Sequence, residues 1–153
     1  MQSAGASVHA RPMFKKILVG LDGSERQPEV LRQAVELADR CGGTLVLCRA
    51  VQIPSSIPAL AWSLQGDEFE KFLVEHARDQ VQKVASDLPE GLVGEIVTEL
   101  GQPADILLRA CGEHRCDLIV IGSHGYSGLD RLLGTTAGKV VNKSDRTVMV
   151  VRE

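Results

Sequence analysis

The chain has 153 residues, 44% of them hydrophobic, enough for one domain with a real core and too many for a disordered chain. A formal charge of −3, scattered Lys and Arg, and only 3% aromatic residues argue against nucleic acid as a partner. No apolar run approaches the roughly 18 residues of a membrane span, so no membrane association is expected.

Residues 1–12 are small and polar, without the apolar centre of a secretory signal. They read as a flexible tail or expression remnant ahead of a single domain over 13–153. Ile17-Leu18-Val19-Gly20-Leu21 is a buried strand closed by the turn Asp22-Gly23-Ser24. Ser24 or Asp22 is expected to cap the next helix. Its inner face is Val30, Ala34, Leu37, Ala38 and Cys41, and Gly42-Gly43 stops it. Thr44–Val51 is a second strand. Pro54 to Gly66, with its prolines and serines, reads as a connecting loop. A second amphipathic helix runs from Phe69 to Leu88. Val93–Leu100 follows as a strand whose Glu95 and Glu99 suit an exposed sheet edge. Pro103 opens a third helix, with Ile106, Leu107, Ala110, Cys111 and His114 facing inward. Asp117–Gly122 is the most apolar strand and so an interior one. A glycine-rich loop, a helix from about Leu132 to Ser144 and a last strand, Thr147–Val151, complete the chain.

Strand and helix alternate throughout. The predicted fold is a doubly wound, mainly parallel five-stranded α/β sheet, Rossmann-like, with helices on both faces. Ligands of such sheets sit beyond the carboxyl ends of the strands, at the switch point. That directs attention to the loops after Gly20, Val51, Leu100 and Ile121.

The loop after Ile121 carries the strongest signal. Gly122 and Gly125, with Ser123 and His124 between them, let the backbone come close to a ligand. Gly134-Thr135-Thr136 lies near the start of the next helix, where free N–H groups and the helix dipole favour an anion; the two hydroxyls add donors. A bare G-x-x-G is equally a tight turn with an ordinary cap. In the loop Gly20-Leu21-Asp22-Gly23-Ser24, Asp22 suits a ribose hydroxyl or a helix cap. His124 suits phosphate, ribose or the turn itself. Neither loop is a Walker A or G-x-G-x-x-G motif. No G-x-S-x-G elbow is present, and no His, Cys, Asp and Glu spacing suggests a metal cage. A Mg²⁺ ion can arrive with phosphates. Cys41, Cys48, Cys111 and Cys116 form no C-x-x-C pair, and the 111/116 spacing fits neither a zinc ribbon nor a redox motif. Buried free thiols in a cytoplasmic protein are expected, with a disulfide or redox switch as the lesser alternative. Gly138 inside the last helix is out of place unless close packing requires it.

Together, Phe14–Val19 with Asp22-Gly23-Ser24, Gly101-Gln102-Pro103-Ala104-Asp105-Ile106, Asp117–Gly125 and Thr147–Val151 resemble the universal stress protein family over about Met13 to Arg152. Members of that family that bind ATP or AMP carry G-x2-G-x9-G-[ST]. The resemblance implies that Asp22 holds ribose, that Gly122, Gly125, Gly134 and Thr135 hold phosphate, and that the Ala50 backbone meets adenine. It also implies a homodimer through Thr147–Val151. This chain departs from the pattern by having eight residues, not nine, between Gly125 and Gly134.

The function expected is adenine-nucleotide binding in a stress or regulatory role, without efficient catalysis. The site residues are Gly20, Leu21, Asp22, Ala50, Ile121, Gly122, His124, Gly125, Gly134, Thr135 and Thr136. Two alternatives stay open: a slow ATPase or phosphotransferase using Asp22, His124 and Mg²⁺, and a dimeric interaction module that binds no nucleotide.

Overall fold

The computed structural model describes residues 13–53, 59–123 and 133–152, the side chains of 59–65 excepted. Its elements are β1 (Lys16–Gly20), α1 (Gln27–Cys41), β2 (Thr44–Val51), α2 (Ala59–Ser86), β3 (Val93–Leu100), α3 (Pro103–Glu113), β4 (Leu118–Gly122), α4 (Thr135–Lys143) and β5 (Thr147–Val151). The strands form one sheet in the order β3-β2-β1-β4-β5. Every pairing is parallel, rather than merely most of them. The order reverses at β1, which makes the β1–β4 boundary the switch point.

Alternation along the strands sorts the core into two layers. Ile17, Val19, Leu45, Leu47, Leu118 and Val120 face α1 and α2, which cover them with Val30, Ala34, Ala38 and Val81. Leu18, Val46, Cys48, Ile119 and Ile121 face α3 and α4, which contribute Ile106, Leu107, Ala110, Ala137 and Val140. Strands buried on both faces must be apolar on both sides, hence the unbroken runs in β1 and β4.

β4 is interior and β3 is an edge, as expected. Glu95 and Glu99 turn toward α3: Glu95 pairs with Lys16 at 3.3 Å and with the His114 imidazole, and Glu99 pairs with Arg109. His114 therefore sits at the rim, at the C-cap of α3, and not in the core.

Several expectations are corrected. The segment before Gly66 is not all loop: α2 begins at Ala59 and bends at Gly66 (φ 35°, ψ −123°), while residues 54–58 lie outside the described residues. The bend breaks the apolar period, so the pattern from Phe69 cannot be traced back through it. Neither Asp22 nor Ser24 caps α1. The N-cap is Arg26, and Pro28 occupies the first turn. Asp22 Oδ1 instead accepts the Ser24 amide at 3.0 Å, and Ser24 Oγ accepts the Arg26 amide at 3.3 Å, building a turn ahead of the helix. Asp117 precedes β4, with its carboxylate accepting the Lys15 and Lys16 amides at 2.9 and 3.2 Å. α4 begins at Thr135 because Gly134 is extended (ψ 164°). No helix among the described residues is long and apolar enough to cross a membrane.

Among the described residues Gly138 has no packing reason: a Cβ there meets none of their atoms within 4 Å. Gly138→Ala should therefore stabilise the fold by about 1 kcal/mol through backbone entropy. Thermal denaturation would read this as a rise of about 2–4 °C in Tm.

Candidate functional site

The carboxyl ends of β1, β2 and β4 lie side by side. Gly20 is in register with Cys48, and Val19 with Val120, so Ile121 and Gly122 follow level with Gly20 and Leu21. From β2 to β4 is two strand spacings, roughly 10 Å. The edge is stitched by the main chain. The Leu21 amide donates to Cys48 O at 2.8 Å, the Gly101 amide to Val51 O at 2.9 Å and the Ser123 amide to Val151 O at 3.1 Å. The Gly134 amide returns to Ser123 O at 3.3 Å, which sets the start of α4 against the end of β4.

The structure thus gathers Gly20, Leu21, Asp22, Ala50, Ile121, Gly122, Gly134, Thr135 and Thr136 at one edge. His124 and Gly125 lie outside the described residues, as does most of the eight-residue spacer. Asp22 is exposed, Ala50 half-buried, and Leu21 and Ile121 are core. Among the described residues no side chain caps the N-terminus of α4. Its first-turn amides have no intrahelical acceptor, and the Thr135 and Thr136 hydroxyls lie in the same turn. Such a helix start favours an anion.

Gly20 has a packing role. A Cβ there would lie 2.9 Å from Ile121 Cγ2 and 3.1 Å from Leu107 Cδ2. Gly23 is left-handed at φ 72°, and its added Cβ would fall 2.8 Å from Arg49 Nη2. Arg49 was not anticipated from sequence. Its guanidinium lies against the Gly23 loop and donates to Gln80 Oε1 of α2 at 2.9 Å, tying that loop to the helix. The available signal was a lone charge within the otherwise apolar strand β2. Cys48, beside Gly20, is a buried thiol whose pKa burial pushes up to about 12. It stays protonated at neutral pH and is a poor nucleophile. An open groove of about 780 Å³ lies elsewhere, between α2 and the amino end of β3, lined by Arg78, Ser86, Leu88 and Gly94. It is at the wrong end of the sheet for a switch-point ligand.

An all-parallel doubly wound sheet with a helix start at its switch point defines an α/β protein of the Rossmann-like class. The sequence profile of the Universal stress protein family matches residues 13–152, and the chain belongs to that family. It is 33% identical over 141 residues to universal stress protein A homolog 2 of Coxiella burnetii, covering 91% of this chain and 95% of that one. The universal stress protein UspA from Lactobacillus plantarum superposes with a TM-score of 0.69 at 26% identity, covering 90% of this chain and 97% of the other. A universal stress protein in complex with cAMP superposes at 0.57 and 23% identity, covering 91% and 97%.

Two outcomes follow. Gly20→Ala should lower the stability of the ligand-free protein by about 1–3 kcal/mol, the usual range for overpacking. Urea denaturation checks this, and an unchanged midpoint would show that nothing presses on Gly20. Cys48 favours the fold while its thiol stays protonated. Its contribution is whole below pH 9, the ordinary thiol value, and is lost as pH rises toward about 12. Cys48→Ala should therefore lose stability less steeply than wild type over that alkaline range in parallel denaturation series.

Proposed function

We propose that the chain binds an adenine nucleotide, ATP or AMP, across the carboxyl ends of β2, β1 and β4, as a stress-response or regulatory protein that performs no efficient chemistry on it. The observation that carries the reading is the uncapped start of α4, set against the end of β4 by the Gly134–Ser123 hydrogen bond. Gly122, His124, Gly125, Gly134, Thr135 and Thr136 take the phosphates, with Mg²⁺ accompanying them. Gly20, Leu21 and Asp22 take the ribose, and the Ala50 backbone takes the adenine, with Ile121 beneath. The roughly 10 Å between β2 and β4 suits a nucleoside laid across β1. Family membership and the cAMP complex of a structural neighbour support an adenine nucleotide. Three or four charge-assisted hydrogen bonds, about 1.5–3 kcal/mol each, support micromolar affinity after association costs. The protonated Cys48 thiol supports binding without covalent chemistry.

β5 is the other sheet edge, with half-buried Val148, Met149 and Val150 and with exposed Val141 on the preceding helix. An apolar unpaired edge calls for cover. A homodimer through Thr147–Val151, in the cytoplasm, completes the reading. Sedimentation equilibrium tests it: a monomer at all micromolar concentrations would remove the dimer.

Calorimetry with ATP and AMP tests the nucleotide. No heat and no thermal shift at millimolar nucleotide would refute binding. Thr135→Asp gives the sharper result. A carboxylate at the first position of α4 should stabilise the ligand-free protein by about 0.3–1 kcal/mol through the helix dipole. It should also weaken AMP by about tenfold or more, the loss of one charge-assisted contact. ATP hydrolysis by the wild type should be no faster than by this variant.

A further inference from the structure

We propose that Cys111 and Cys116 form a peroxide-oxidisable dithiol that closes to a disulfide at the end of α3. The pair is not a C-x-x-C motif, and it is the helix cap that joins it. The His114 amide donates to Ala110 O at 2.9 Å and the Arg115 amide to Gly112 O at 3.2 Å, while the Cys116 amide reaches back to Cys111 O at 2.9 Å. Arg115 is left-handed at φ 55°. This is a Schellman cap, whose long-range bond brings the side chain after the turn onto one in the last helical turn. Apolar side chains usually fill those two places; here both are cysteines. The Cys111 thiol donates to Cys116 O at 3.6 Å, which sets the two side chains beside one another. The amide bond holds the two backbones within the span a disulfide bridges.

The thiols are 2% and 1% exposed, beneath a turn whose Gly112, Glu113 and Arg115 are exposed. The hydrogen bond from Cys116 pulls the Cys111 thiol below its ordinary value, with the positive charge of Arg146 adding to it against Asp145 and Asp117. Cys116 keeps its proton correspondingly. The roles are therefore ordered. Cys111 releases its proton, the thiolate attacks hydrogen peroxide, the O–O bond breaks, Cys111 becomes a sulfenic acid, and the leaving hydroxide combines with the released proton as water. The Cys116 sulfur then attacks that sulfur. The S–S bond forms, the S–O bond breaks, and the hydroxyl leaves as a second water with the Cys116 proton. Two thiols lose two electrons and one peroxide becomes two waters. The new bond anchors the end of α3 to the residue before Asp117, whose carboxylate grips the Lys15 and Lys16 amides. This is the amino end of the sheet, independent of the nucleotide reading.

The test uses the full chain, reduced and then treated with hydrogen peroxide, quenched with catalase, unfolded, alkylated and digested with trypsin without reductant. Arg115 lies between the two cysteines, so cleavage parts them unless a disulfide joins the peptides. The expected product is the linked pair 110–115 with 116–131, with two of the four cysteines lost to alkylation and both recovered on reduction. A variant carrying Cys41→Ser and Cys48→Ala should still give the linked pair, and Cys111→Ser should not. Alkylation of both Cys111 and Cys116 at peroxide doses that oxidise half-buried Cys41 would overturn the proposal. So would Cys111 sulfinic acid without the link, or a link from Cys111 to any other cysteine. The wild-type peptides alone decide it if a variant does not fold.

Discussion

β1 is five residues long, and its three middle side chains are fully buried between two layers of helices. It is flanked on both edges, by β2 and by β4. Each of its backbone polar groups must find a partner in a neighbouring strand, because neither face offers water. That requirement fixes the rest. β2 and β3 extend the sheet on one side with α1 and α2 on one face. The return to β4 on the other side forces α3 and α4 onto the opposite face, since parallel crossovers are right-handed. The two helix layers part above the β1–β4 seam, and the loops leaving those strands meet there.

The seam also explains why glycine stands at the end of β1. Leu107 of α3 and Ile121 of β4 close over Gly20 from two directions. A motif reading assigns that glycine to ligand approach. The packing shows a constraint that acts with no ligand present. The same edge is then finished by main-chain bonds from Leu21, Gly101 and Ser123, so its geometry depends little on side chains.

What could be read from the sequence follows how local its cause is. The apolar runs of β1 and β4, the four-residue spacing of Val30, Ala34 and Ala38, and the Gly42-Gly43 stop are local signals, and they placed those elements and the alternating fold. The first turns of α2 were hidden by the prolines and serines around them and by the bend at Gly66. The α1 cap was misplaced because Asp22 and Ser24 spend their oxygens on a preceding turn. Arg49 meeting Gly23 and Gln80 depends on three elements converging, and the meeting of Cys111 and Cys116 depends on a left-handed Arg115. No periodicity carries either. For the site, the gathering of Gly20, Asp22, Ala50, Gly122 and Thr135 at one edge followed from the topology alone.

Ser123 joins β4, β5 and α4, yet it does so with its amide to Val151 and its carbonyl to Gly134. A residue that works through its peptide groups places little demand on its own side chain. Substitution there leaves the scaffold in place, proline excepted, since proline alone removes the amide. The position can therefore vary in side chain without loss of the backbone joint between β4, β5 and α4.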